Sequence, residues 1–363
     1  MSDQQFPVID VSGSHYDMGL QHGQQVRELR PAILAAIAAR EAQLQQDAPG
    51  PDFTGLLQDT VDLLQRVDPD IIDQMYGLAD GLELPPEKLV HYNIVPFLRD
   101  AFTTRRRLEE GCTTWAAVAP LTVDGGPMLV KNRDYTLEHA PLQVVVRAEP
   151  ARGHRYAFLT SAGSPGVFVA GFNETGLAVV DTHVPSLDVG PGLPDYALAM
   201  HILEQYDNVR AAVAYLRHAP RLGRNNLLLA DHSGDIVAFE IGHRHYAVLE
   251  SSGGLLVNTN HFNSRTMHAM FVDTEPPALR GNTFQRYQRV DQTLRQAQGQ
   301  IDVAFARKLM SHHAGPLDAI CRHPSPESDA GTIAATIFLP HRRQLHVCLG
   351  QPCKAPFHTL GYT

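Results

Sequence analysis

Apolar positions recur at helical spacing through most of the first hundred residues, in MGLQHGQQVRELR, ILAAIAAREAQL, TGLLQDTVDLLQRV, PDIIDQMYGLADGL and PEKLVHYNIVPFLRD. Ser14 stands where an N-cap belongs and Pro31 can open the second helix. Pro69, Pro85 and Pro86 sit at or just before later helix starts, where proline is tolerated. GPDFTG at 50–55 reads as a turn cluster. The texture changes after TTRRRLEEG at 103–111. Short strand-like runs follow, TTWAAVAPLTV, PMLVKNRDYT, LQVVVRAE, RYAFLTSA and VFVAGFN, with Asp124-Gly125-Gly126 as a hairpin turn between the first two. Helical spacing returns in YALAMHILEQ and NVRAAVAYLRHA, and strands in NNLLLADHSGDIVAFEIG, HYAVLES and GLLVNTNHF. NTFQRYQRVDQTLRQAQ and VAFARKLMSHH predict two more helices, and TIAATIFLP with QLHVCLG a closing hairpin. Helices in blocks beside runs of antiparallel hairpins argue for an α+β fold rather than alternating βαβ units.

Composition narrows the functions. With 44% hydrophobic and 19% charged residues over 363 positions, the chain is an ordinary packed globular protein, which excludes disorder, collagen and coiled coil. Thirty basic against thirty-nine acidic residues leave a formal charge of −9, so no nucleic-acid partner is expected. No apolar run approaches the roughly 20 residues of a membrane helix, so no membrane partner is expected either. The N-terminus lacks the basic and apolar regions of a secretory signal. Four cysteines, Cys112, Cys321, Cys348 and Cys353, make no disulfide framework in so long a chain, and free thiols in a cytoplasmic protein are the expectation. No glycine-rich phosphate loop opens a helix after a strand, and no cofactor is expected. Among nineteen histidines, His243 with His245 and His312 with His313 lack metal-ligand spacing. Cys348 and Cys353 have no matching second pair, so no metal is expected.

Cys112 marks the junction of the two textures. As a small apolar residue at a strand start it reads as core. Its other reading is chemical. If the Gly111–Cys112 bond is cut, the new N-terminal residue carries a nucleophilic thiol and, in its own α-amino group of pKa about 8, a base poised near neutral pH. Gly111 permits the backbone angles that a strained scissile peptide needs.

Several segments together resemble the acyl-coenzyme A:6-aminopenicillanic acid acyltransferase family of N-terminal-nucleophile hydrolases. IDVSGSHYDMGLQHGQQ is similar to the family's opening motif and GCTTW at 111–115 to its autocleavage site. KNRDY at 131–135 and VNTNHF at 257–262 resemble its inner catalytic segments, and GFNETGLAVVDTHV and NLLLADHSGDIVAFE fit its general pattern. The resemblance implies a four-layer αββα fold with a helical N-terminal segment, one structural domain in which residues 1–111 and 112–363 are the two products of self-cleavage and stay associated. It implies that Asp134 anchors the new α-amino group, that the Asn260 side-chain amide lines the oxyanion hole, and that Arg322 helps position the site. Read alone, Asp134 is a strand-end acid and Asn260 a strand-ending turn residue.

Thr113 and Thr114 beside Cys112, with Tyr135 and Phe172, are the candidate substrate contacts, although core packing explains Tyr135, Phe168 and Phe172 equally well. Lys131 stands where related enzymes often carry arginine. His261 reads as a structural neighbour of Asn260. The Arg105-Arg106-Arg107 run reads as a solvated stretch beside the cleavage site. The expected activity is hydrolysis of a C–N amide bond in a small N-acyl compound through an acyl-enzyme on Cys112. The alternatives are transfer of the acyl group to an amine, and an inactive ligand-binding protein on the same fold.

Overall fold

The computed structural model describes residues 7–47, 51–99, 111–166, 170–315, 317–326 and 328–362. Strand β1 (Val8–Gly13) leads into α1 (His15–Gln25), α2 (Arg30–Asp47), α3 (Pro51–Val67), α4 (Pro69–Leu82) and α5 (Pro86–Arg99). Then come β2 (Gly111–Ala117), β3 (Met128–Thr136), β4 (Gln143–Pro150), β5 (Tyr156–Ser161), β6 (Ala170–Asn173) and β7 (Ala178–His183). Helices α6 (Asp195–Gln205) and α7 (Val209–His218) precede β8 (Asn225–Ala230), β9 (Ile236–Ile241), β10 (Tyr246–Glu250) and β11 (Leu255–Asn258). The short α8 (Arg265–His268), α9 (Asn282–Gln296) and α10 (Val303–Met310) lead to β12 (Ala330–Leu339), β13 (Gln344–Leu349) and β14 (His358–Gly361).

Two sheets result, one of eight strands in the order β1-β4-β5-β6-β7-β8-β9-β10 and one of six in the order β11-β2-β3-β12-β13-β14. Neighbours pair antiparallel except β1, which lies parallel to β4. Alternation along each strand divides the core into layers. Leu129 of β3 and Phe338 of β12 meet Phe172 and Leu228 between the sheets, while Trp115, Val130 and Ile337 point outward beneath Val290 and Leu294 of α9. On the far side Val144, Phe158, Leu227 and Phe239 carry α1 to α7. The layers therefore run helix, sheet, sheet, helix, as the family resemblance implied.

The opening motif has a packing rationale. A Cβ on Gly19 would come within 2.1 Å of the Gln74 carbonyl oxygen, and one on Gly77 within 2.0 Å of that of Tyr16. Only hydrogen at these positions lets α1 and α4 approach so closely. Ser14 caps α1 through a reciprocal capping box with Asp17.

Three local expectations need correction. Residues 51–55 are helix, not turn, because Pro51 and Asp52 suit a first helical turn. Periodicity missed β1, whose fully buried apolar residues number only two, Ile9 and Val11, and it missed the largely exposed β14. The arginine run at 105–107 and Phe168 lie outside the described residues.

Candidate active site

Cys112 is the second residue of β2, an inner strand between β11 and β3, and only 5% of it is exposed. Its N–H donates to Asn260 Oδ1 at 3.0 Å. Its carbonyl accepts from Arg286 Nη1 at 2.6 Å, and the same guanidinium reaches Thr113 Oγ1 at 2.9 Å and Asn260 Oδ1 at 2.7 Å. Asn282 Oδ1 takes the Arg286 Nε–H at 2.8 Å, which fixes the fork. Burial lowers the Arg286 pKa to about 10, with Asp134 pulling the other way, so the group is still charged at neutral pH. The Asn260 carboxamide is oriented by two donors on Oδ1 and by the His183 carbonyl, which accepts from Nδ2 at 2.8 Å.

Across the strand, Gly111 pairs with Asp134 of β3. A Cβ at position 111 would come within 2.6 Å of Arg322 Nη1 and 3.0 Å of Asp134 Oδ2, so glycine is the residue that fits between the two charges. Asp134 Oδ1 accepts from Thr332 Oγ1 at 2.6 Å, and Asp134 Oδ2 lies 3.9 Å from Arg322 Nη1. Neither of those last two atoms has a hydrogen-bond partner among the described residues. Burial pushes the Asp134 pKa up, and Arg322 and Arg286 only partly offset this.

A cavity of about 40 Å³ adjoins Cys112, lined by charges of both signs that include Lys131, Arg133, Arg224, Asp134, Asp181 and Asp195. Lys131, wholly buried, is ion-paired with Asp181. Tyr135 also lines the cavity, and its hydroxyl accepts from Arg40 Nη2 at 3.2 Å.

The structure thus brings Cys112, Asp134, Asn260 and Arg322 together around the Gly111–Cys112 peptide, and it places Tyr135 at the cavity. It separates three other candidates from that cavity. Thr113 faces the α9 side of its strand and Thr114 lies deeper in the sheet against the Asn258 carbonyl. Phe172 packs between the sheets against Phe338 and Tyr362. Strand alternation is the reason for the first, the contact to β11 within the sheet for the second and inter-sheet packing for Phe172. Asn260 turns its oxygen toward the Cys112 N–H and its amide nitrogen toward the His183 carbonyl. His261 holds Thr259 and Thr283 with Nδ1, and burial lowers its pKa to about 4, so it is neutral at pH 7. Sequence reasoning missed Arg286. The signal was its place on one face of α9 with Asn282, Val290 and Leu294, all buried at spacings of four.

The αββα layering is the one that the resemblance to the N-terminal-nucleophile hydrolases implied. The family model for acyl-coenzyme A:6-aminopenicillanic acid acyl-transferase matches residues 121–354, and the chain belongs to that family of enzymes. Asp134, Asn260 and Arg322 lie within the matched stretch and Cys112 just before it. None of the curated proteins compared with the chain matches it. Among solved structures, a variant of conjugated bile acid hydrolase from Clostridium perfringens is similar at 12% identity and a TM-score of 0.48, over 69% of this chain and 97% of that one. Penicillin V acylase from Agrobacterium tumefaciens is similar at 16% identity and a TM-score of 0.42, over 69% and 86%. Among the described residues no helix is long and apolar enough to cross a membrane.

Proposed function

We propose that the protein cleaves itself between Gly111 and Cys112 and then hydrolyses the amide bond of a small N-acyl compound with Cys112 as nucleophile. The observation that carries this reading is the arrangement around one peptide bond. Its cysteine N–H and carbonyl are held by Asn260 and Arg286, and its glycine fits between Asp134 and Arg322.

In the processing step the Cys112 thiol loses its proton and attacks the Gly111 carbonyl carbon. The C–N bond breaks as the nitrogen takes up a proton, leaving a thioester and a free α-amine. Water then hydrolyses the thioester and releases the Gly111 carboxylate. The new ammonium is balanced by the Asp134 carboxylate, whose Oδ2 has no hydrogen-bond partner among the described residues. In turnover the thiolate attacks the substrate carbonyl carbon, the α-ammonium protonates the departing amine, and the α-amine activates the water that releases the acid. The second hydrogen of Asn260 Nδ2, beyond the one given to His183, is the proposed donor to the oxyanion, a contact whose loss typically costs ~10²–10³ in rate.

Two features support continued association of the fragments. Helices α1 to α5 share one core with the outer face of the eight-stranded sheet, and β1 pairs along β4 over six residues. Mass spectrometry and N-terminal sequencing test the reading. We expect fragments of about 12 and about 28 kDa from the 39.9 kDa chain, the larger beginning Cys-Thr-Thr-Trp, and an intact chain from Cys112→Ala. Wild-type protein that stays whole, or Cys112→Ala that is still cut or still turns over N-acyl amides, would overturn it.

A further inference from the structure

The fold brings together four soft and borderline ligands that the sequence scatters. His313 lies just beyond α10, Cys321 and His323 flank Arg322 in the stretch before β12, and Cys353 follows β13. Cys321 Sγ lies 3.5 Å from Cys353 Sγ and 3.9 Å from His323 Nε2, and Cys353 Sγ lies 3.3 Å from His323 Nε2. His313, His323 and Cys353 each offer a ligand atom, all within 4.8 Å of one another.

We propose that these two thiols and two imidazoles bind one divalent ion of the zinc class. Tetrahedral zinc with bonds of about 2.3 Å to sulfur and about 2.0–2.1 Å to nitrogen holds its ligand atoms roughly 3.8 Å apart for two sulfurs and about 3.5 Å for sulfur and nitrogen. The three separations of Cys321, Cys353 and His323 lie within a few tenths of an ångström of those values. A disulfide would need the sulfurs at about 2.05 Å. His313 supplies the supporting contact such a site calls for. Its Nδ1 meets the Ser311 carbonyl at 2.8 Å, which fixes the tautomer with Nδ1 protonated and leaves Nε2 with a lone pair for the metal. Two thiolates and two imidazoles suit zinc better than the hard cations, which prefer oxygen. Binding releases the two thiol protons to solvent and involves no change of oxidation state.

The site also has a mechanical consequence, which rests on the Cys112 reading although the binding itself does not. Cys321 and His323 are the chain neighbours of Arg322 on either side. An ion gripping both would hold the backbone that aims Arg322 at Asp134, adding to the Arg322 N–H bond to Thr332 Oγ1 at 2.8 Å and the Thr332 N–H bond to the Arg322 carbonyl at 3.0 Å.

Titrating the reduced, metal-free full chain with Co²⁺ tests the proposal. We expect one equivalent to bind with a thiolate-to-cobalt charge-transfer band and tetrahedral d–d bands, all displaced by Zn²⁺. Cys353→Ser should lose about half of the charge-transfer intensity, and His313→Ala should retain it with affinity weakened ~10–100-fold. Cys348→Ser and Cys112→Ala should titrate like the wild type, so failure of the Cys112 reading leaves this result unchanged. Cobalt bound without a thiolate band, a band that survives in full in Cys353→Ser, or a Cys321–Cys353 cross-link in protein kept under reducing conditions would each overturn it.

Discussion

The two sides of the Gly111–Cys112 peptide are built differently. On the cysteine side the polar groups are matched. Arg286 bonds the Cys112 carbonyl, Thr113 and Asn260, and Asn260 in turn holds the Cys112 N–H and the His183 carbonyl. On the glycine side Asp134 Oδ2 and Arg322 Nη1 stand 3.9 Å apart, both buried and both without a hydrogen-bond partner among the described residues. Buried polar groups are ordinarily satisfied, and an unmatched pair carries a cost in stability. The satisfied side holds the Cys112 backbone in place. Under the proposed cleavage, the unsatisfied side would gain a partner only when the bond breaks and a charged amine replaces an amide.

Removing the satisfied side should have the largest effect. Arg286→Met deletes four hydrogen bonds and leaves Asn260 and the Cys112 carbonyl short of donors, so we expect processing and turnover both to slow by more than ~10³-fold. Following the appearance of the N-terminal cysteine fragment, and then turnover of whatever fragment forms, checks this. Similar rates to wild type in a folded Arg286→Met would show that the network only packs.

Crowding the other side should separate the two steps. In Gly111→Ala the new methyl group must displace Arg322 or Asp134, and we expect self-cleavage to slow ~10²-fold. Once cut, the larger fragment has the wild-type sequence, and its kcat/KM should match the wild type. A variant impaired equally in both steps would show that the glycine side matters throughout turnover.

The smallest effect is on stability. His261 has its pKa lowered by burial to about 4 from 6.5, so between those values the unfolded chain binds a proton there and the native chain does not. Stability is therefore lost as pH falls through that window, about 2 kcal/mol from this group between pH 7 and pH 5. Denaturant melts at both values should show a smaller loss in His261→Gln, with rates at neutral pH unchanged. His22, also buried and lowered to about 4, adds its own acid loss in both proteins.

Legibility in the sequence followed the length scale of the signal. The helical block, the hairpins and the change of texture before Cys112 are patterns of ten or more residues, and periodicity carries them. Asp134, Asn260 and Arg322 sit in short motifs whose likeness to a family marks them. Arg286 has neither advantage, because an arginine in NTFQRYQRV looks like surface charge until Val290 and Leu294 reveal which face of α9 is inside. The sequence sets Cys348 near Cys353 and His312 beside His313, whereas the fold sets thiols and imidazoles from distant segments side by side. Cys348 is buried, with its thiol toward the Gly350 and Ala355 carbonyls, while Cys353 meets Cys321 from 32 residues away. Contacts made by loop closure leave no periodic trace.

Strand β1 belongs to the segment before Cys112 yet completes one edge of the eight-stranded sheet, zipped in parallel to β4. A parallel pair needs a long connection between its strands. Here that connection runs through the bond proposed to break. The uncut chain therefore folds by a first-order reaction, whereas a cut and denatured protein can regain the same sheet only when two separate polypeptides meet. Its refolding would depend on concentration, and the tether that made the fold easy to reach would exist only once in the life of each molecule.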